Sequence, residues 1–282
     1  MFIRERRATQ DRTQGRNLEL EERLRALLER LAVPRHIVYE AGANRRTGEF
    51  VADSLAQLGL QVELQGRYRN VVALPGPDVG PRPIQVVAAH YDSVPGCPGA
   101  DDNASGVAVM LEVARLLADA RLPVGFIGFN AEEDGMVGSH DFVVHALPSL
   151  PRTIEVIHVL EMVGFRSESR EPQPIPLPWV PKSMTIPDYL GLLGRGPSNW
   201  VVDHAAECRA APSLRVLGAK TWGPLHRVIP DIARSDHFPF WQEGHPAVLW
   251  TDTADFRNPH YHQRSDTPDT LDYAFMSDVT QF

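Results

Sequence analysis

The chain has 282 residues, 43% of them hydrophobic and 23% charged, enough for a substantial core in one large α/β domain or two small ones. A formal net charge of −8 excludes a nucleic-acid phosphate backbone as a natural partner. Only two cysteines occur, Cys97 and Cys208, which excludes a disulfide framework and a cysteine-based zinc knuckle.

In chain order, residues 1–16 are charged and are expected to be loose. They hold no apolar run of the kind a signal peptide needs, and no later stretch has the length of a membrane span, so a soluble, cytoplasmic chain without a membrane partner is expected. Leu20, Leu24, Leu27, Leu28 and Leu31 recur at helical spacing. Phe50, Val51, Leu55 and Leu58 mark a second amphipathic helix that Gly59 can end. Residues 61–64 and 70–74 read as strands. Residues 84–89 are a short, continuous apolar run, the pattern of a strand buried on both faces, and it ends in His90-Tyr91-Asp92. A Gly/Pro-rich loop and the run Gly99-Ala-Asp-Asp-Asn-Ala-Ser-Gly106 lead into an apolar helix over 107–117. A second buried strand, 124–129, ends in Asn130-Ala-Glu-Glu-Asp134, and a helix is predicted over 137–147. A third buried strand, 154–160, ends in Glu161. The proline-rich stretch 171–187 is loop, 199–208 is read as helix and 247–250 as a core strand. His260 and His262 follow in a polar loop, and a last helix is predicted from about Pro268.

Strand–helix alternation predicts a mostly parallel sheet flanked by helices. Ligands of open α/β sheets bind at the carboxyl ends of strands. One charged residue at such an end is ordinary; His90, Glu132, Glu133 and Glu161 at three of them are not explained by solvation. A hydrolytic metal site needs nitrogen and oxygen ligands, an open position and a base for the water. Two metals close together also need a bridge, which one carboxylate with two oxygens supplies. Two histidines, an aspartate and further carboxylates from separate strand ends meet that requirement.

The runs VVAAHYDSV, GADDNASG, NAEEDGMVGS, VLEMVGF, RSDHFPFW and NPHYHQRSDT resemble the zinc-dependent M28 peptidase family, in that family's order, from about residue 84 to residue 273. The family includes bacterial aminopeptidases and the related glutaminyl cyclases. The resemblance implies a three-layer α/β/α sandwich around a mixed, mostly parallel twisted sheet, with 17–282 as one domain. It also implies two zinc ions and a peptide substrate. Residue by residue, His90 resembles a ligand of one metal and Asp92 the carboxylate that orients it. Asp102, directly before Asn103-Ala-Ser-Gly, resembles the bridging aspartate, with a cis peptide at Asp102–Asn103. Glu132 resembles the general base, Glu133 the neighbouring ligand, His262 the second histidine ligand, and Tyr261 a tyrosine that hydrogen-bonds the oxyanion in some members. Glu161 departs from the pattern: most of the family has Asp there, as in LDM, whereas this chain has LEM, one methylene longer. The departure leaves the second metal site open.

Two choices rest on the motif alignment. Asp101 competes with Asp102, and the Asn-Ala-Ser-Gly run favours Asp102. His260 competes with His262, and spacing to Asp266 favours His262. Asp236, in SDHFPFW, reads as a pocket group behind the ligands or as a structural residue. The expected activity is zinc-dependent exopeptidase action, of aminopeptidase type. The alternative within the fold is a glutaminyl cyclase, which works with one zinc and forms N-terminal pyroglutamate. A non-catalytic peptide-binding protein is the alternative from another class, and the usable residues at all six key positions weigh against it.

Overall fold

A computed structural model describes the chain apart from residues 11–15 and 177–179. Its centre is a nine-stranded mixed sheet. In chain order the strands are β1 (Phe2–Arg6), β2 (Gln61–Gln65), β3 (Asn70–Leu74), β4 (Ile84–His90), β5 (Val124–Phe129), β6 (Ile154–Glu161), β7 (Tyr189–Arg195), β8 (Arg215–Thr221) and β9 (Ala247–Thr251). The spatial order is β1-β8-β7-β9-β6-β4-β5-β3-β2. Four of the eight neighbouring pairs are parallel; three of these join β9, β6, β4 and β5 into the central block, and β7 with β8 is the fourth. The remaining four pairs are antiparallel.

Among the described residues the α-helices are α1 (Leu18–Leu31), α2 (Ala41–Gln57), α3 (Gly106–Leu117), α4 (Val137–Asp141), α5 (Asn199–Glu207), α6 (His237–Gln242) and α7 (Tyr273–Gln281). Side chains alternate across each strand, so the sheet makes two cores. Val156, Leu160, Leu192 and Val248 point to the layer of α1, α2, α3, α5 and α7. Val86, Ala88, Ile157, Val159 and Leu249 point the other way, to Phe142, Phe240 and Trp241 around α4 and α6. The result is the three-layer sandwich that the resemblance implies, around a sheet that is parallel in its central block but antiparallel in half of its neighbouring pairs rather than mostly parallel.

Where the expectations differ from the fold, local chemistry explains the difference. Residues 2–6 are not loose: they form an edge strand antiparallel to β8. Ile3 packs into the core, while Glu5 pairs with Arg215 at 2.7 Å and Arg4 with Asp203 at 2.9 Å. The expectation for residues 11–15 lies outside the described residues. Strands β7 and β8 carry no clear signal because Gly191, Gly194 and Gly218 interrupt their apolar runs. Two of these glycines are required by packing: a Cβ at Gly194 would meet Val202 at 3.0 Å, and one at Gly218 would meet it at 2.5 Å, so α5 could not lie on the sheet. The last helix starts at Tyr273 rather than near Pro268, because Asp272 caps it by accepting from the Phe275 N–H at 2.9 Å. No helix among the described residues is long and apolar enough to cross a membrane.

Candidate metal centre

The parallel block sets the position of the site. His90 is the last residue of β4, Glu132 and Glu133 follow β5, and Glu161 ends β6. All three strands run the same way, so all three ends open on one edge of the sheet. Asp102 comes from the turn into α3, and His262 from the loop after β9.

These residues assemble into two groups that share one member. His90, Asp102 and Glu161 form one; Asp102, Glu133 and His262 form the other. The oxygens of Asp102 divide between them: Oδ1 lies 3.3 Å from His90 Nε2, and Oδ2 lies 3.1 Å from His262 Nε2. Glu161 Oε2 lies 3.4 Å from His90 Nε2 and Glu133 Oε2 lies 3.2 Å from His262 Nε2. Glu132 belongs to neither group, with its Oε2 4.0 Å from His90 Nε2. Of the competing pairs, Asp101 turns away, accepting from the Gly164 N–H at 2.9 Å and the Asn258 amide at 2.6 Å. His260 also stays outside, with Nδ1 at 2.9 Å from Ser265 Oγ.

The surroundings hold these groups by their backbone. Asp92 Oδ1 accepts from the Glu132 N–H and Oδ2 from the Glu133 N–H, both at 3.2 Å, while Oδ1 also lies 3.3 Å from His90 Nδ1. One buried carboxylate thus ties the β4 end to the β5 end. Asp266 receives the N–H groups of Asp101 and Asp102. Asn103 accepts from the Met162 N–H at 3.0 Å and donates to the Leu160 carbonyl at 2.8 Å, gripping the backbone on both sides of Glu161. The Asp102–Asn103 peptide is cis. Ala131, Met162 and His262 have φ near +59°, +49° and +58°, a left-handed backbone that side chains rarely adopt and that clusters at functional turns.

Charge in the site is unbalanced without a cation. Burial opposes ionisation of Asp102, yet His262 and His90 hold its pKa below the usual carboxylate range. Burial, with the charge of Asp102, pushes Glu133 up to about 7. Burial also raises Glu132 well above its ordinary value; His90 opposes this, and Glu161 and Asp236 reinforce it. For His262, burial works downward, but Asp102 and Glu133 lift it to about 10. Both ring nitrogens of His90 and Oε1 of Glu133 are buried without a hydrogen-bond partner, despite the nearness of Asp92. Buried polar atoms are normally satisfied. The unpaired His90 Nε2 among the oxygens of Asp102 and Glu161, and the unpaired Glu133 oxygen in the second group, fit divalent metal ions of the kind nitrogen and oxygen ligands hold.

Tyr261 stacks on His262 with ring centroids 3.7 Å apart, and its hydroxyl accepts from Arg234 Nη2 at 3.2 Å. Asp236 is fully buried, and neither of its oxygens makes a hydrogen bond; burial raises it to about 7. Its neighbour Ser235, passed over in the sequence, donates to Glu161 Oε2 at 2.7 Å. The SDH run was the available signal. A cavity of about 130 Å³ opens beside Glu161, Ser235 and Tyr261, and Ile3, Leu193, Leu217, Ala219, Ile232 and Leu249 are among its apolar walls.

The chain is similar to known proteins in sequence and in fold. The profile described as peptidase family M28 matches residues 70–175. The uncharacterized protein YfbL of Escherichia coli is 35% identical over 256 residues, covering 83% of this chain and 76% of that protein. The LapA aminopeptidase of Legionella pneumophila shares the fold, with a TM-score of 0.67 at 19% identity over 94% of this chain and 71% of that one. BSAP, a zinc aminopeptidase from Bacillus subtilis, has a TM-score of 0.51 at 28% identity; the match covers 75% of this chain but only 47% of the longer BSAP chain. With that profile match and that relative, the chain belongs to peptidase family M28.

Proposed function

We propose that the chain is a zinc-dependent exopeptidase of aminopeptidase type, with His90, Asp102 and Glu161 holding one ion and Asp102, Glu133 and His262 a second. The observation that carries this reading is Asp102, whose two oxygens face two different histidines. Two complete groups favour the peptidase over a single-zinc cyclase. When bound there, zinc would acidify a water molecule and polarise the scissile carbonyl.

The chain's own groups supply the rest. Glu132 lies beside the first group without belonging to it, so its carboxylate is free to take a proton from the attacking water. Burial makes it a stronger base than an exposed glutamate. The same carboxyl then delivers the proton to the departing amine. The Tyr261 phenol accepts from Arg234, which leaves its own proton for the oxyanion that forms on the carbonyl. Asp92 keeps Glu132 and Glu133 on their separate headings by holding both backbone N–H groups. The neighbouring cavity, of about 130 Å³, is lined mainly by aliphatic side chains and suits a large apolar side chain on the substrate's first residue. For scale, a cavity of roughly 150 Å³ holds benzene in a protein interior.

Glu132→Ala tests the reading. Zinc content should match the parent, while turnover of an aminoacyl amide falls by about 10²–10⁴-fold. A variant that keeps its zinc and cleaves at the parent rate would remove Glu132 from the mechanism.

A further inference from the structure

Arg35 lies in the short connection between α1 and α2 and is completely buried. Its guanidinium donates from Nε to the Tyr91 carbonyl at 2.7 Å and from Nη2 to the Gly99 carbonyl at 2.9 Å. Nη1 donates to the Val33 carbonyl at 3.1 Å and to the Pro98 carbonyl. Tyr91 is next to His90, and Gly99 stands three residues before Asp102. One side chain therefore holds the loop that leaves β4 and the turn that carries the shared aspartate. Its backbone is anchored too: the Arg35 N–H donates to Ser93 Oγ at 3.1 Å, and its carbonyl accepts from the Asn44 amide at 2.9 Å. Asn44 exchanges amide hydrogen bonds with Asn130, which precedes the turn to Glu132. Gly99 shows how tight the clip is: at φ +59°, a Cβ there would lie 3.2 Å from Arg35 Nη1 and 2.3 Å from the Asp102 carbonyl oxygen.

All four guanidinium acceptors are carbonyls, an expensive way to bury a charge, since desolvation is not repaid by a carboxylate partner. Tethering alone does not need that charge. Asp92, Asp102 and Asp266 act on it through space, so it lies in the field of the acidic ligand cluster. We propose that Arg35 is a positioning residue for the metal centre: its planar fork fixes the loop of His90 against the turn of Asp102, and its charge offsets part of the cluster's negative charge.

This rests on the ligand assignment proposed above, so the experiment measures that first. Zinc dissociation constants are obtained by chelator competition for the parent, His90→Ala, Arg35→Lys, Ser93→Ala and Leu24→Ala. Lysine keeps the charge but cannot reach four carbonyls from one plane. Arg35→Lys should bind zinc about 10–100-fold more weakly, as expected when groups supporting a metal's ligands are lost, with kcat falling and KM little changed. Ser93→Ala loosens the same clip without touching the buried charge and should weaken zinc binding in the same direction by a smaller factor; it carries the test if Arg35→Lys does not fold. Leu24→Ala removes packing from the α1 core and should lower Tm while leaving zinc affinity at the parent value. A parent that binds no zinc, or a His90→Ala variant that binds it as the parent does, overturns both the ligand assignment and this inference. If His90→Ala loses zinc but the Arg35 and Ser93 variants bind it like the parent, only the role of Arg35 is overturned.

Discussion

Shortening Glu161 to Asp tests whether chain length at this position is matched to the fold. The carboxylate stands 3.4 Å from His90 Nε2 and accepts from Ser235 Oγ at 2.7 Å. Removing one methylene withdraws it by about 1.5 Å, one carbon–carbon bond. The backbone cannot follow. Asn103 holds the Leu160 carbonyl and the Met162 N–H, Glu161 pairs with Thr251 in the sheet, and the Asp252 N–H donates to the Met162 carbonyl at 2.6 Å. After the withdrawal the Ser235 contact would lengthen to about 4 Å, too long for a hydrogen bond. Losing a bond to an ionised group costs about 1.5–3 kcal/mol, or roughly 10–100-fold in an equilibrium constant. On the two-ion reading proposed above, Glu161→Asp should therefore lose one zinc equivalent at concentrations where the parent would hold two, with the weaker site's dissociation constant raised about 10–100-fold. Metal analysis after dialysis against graded zinc, together with calorimetric titration, reads both quantities. Full retention of two zinc ions at parental affinity would show that the β6 end has slack, and that the pinning by Asn103 does not control ligand reach.

Two further outcomes are expected. Ala219→Phe fills the cavity from β8, opposite Ile3 in the β1–β8 register. Its kcat/KM ratio for leucine amide over alanine amide should drop about 10–100-fold, since apolar pockets discriminate by roughly 1–3 kcal/mol per methylene; an unchanged ratio in an active variant would place the substrate's side chain elsewhere. His237 is fully buried, and burial lowers its pKa from 6.5 to about 4, with Nε2 donating to the Ile232 carbonyl at 2.9 Å. The unfolded chain takes this proton below about 6.5 while the folded one refuses it until about 4, so the group contributes nothing to pH dependence above 6.5 and destabilises the fold as pH falls through that window. The gap corresponds to at most about 3 kcal/mol. Urea titrations of the parent and His237→Gln at pH 7 and pH 4.5 should show a smaller acid loss in the variant; equal losses would assign acid sensitivity to other groups.

Much of the site was legible in the sequence because its framework is a buried parallel block. Strands covered on both faces read as unbroken apolar runs, so the polar residue that ends each run stands out. That is how His90, Glu132, Glu133 and Glu161 mark their own positions. Asp102 and His262 lie on irregular backbone, and only the motif alignment separated them from Asp101 and His260. The geometry now gives the physical difference: Asp101 is committed to Gly164 and Asn258, and His260 to Ser265. Strands β7 and β8 were silent because glycines that admit α5 interrupt their apolar pattern. β1 was silent because its five residues are Phe-Ile-Arg-Glu-Arg, whose charges reveal their partners only in three dimensions.

What the sequence conceals most fully is the support of the candidate ligands. Arg35, Asn103 and Ser235 act on carbonyls, N–H groups or a carboxylate brought near by the fold, across 56, 59 and 74 residues of chain for Tyr91, Met162 and Glu161. A ligand must be a particular residue type whatever its neighbours; a support is defined only by what it reaches. The length of Glu161 shows why both must be considered together. Judged as a ligand alone, the extra methylene looks like a displacement of the second metal position. With Ser235 holding the same oxygen that faces His90 and Asn103 gripping the backbone on either side, the longer side chain spans a fixed gap between the strand end and His90. Ligand length and backbone position thus compensate each other, which predicts that restoring the family's usual Asp without moving the backbone weakens the site.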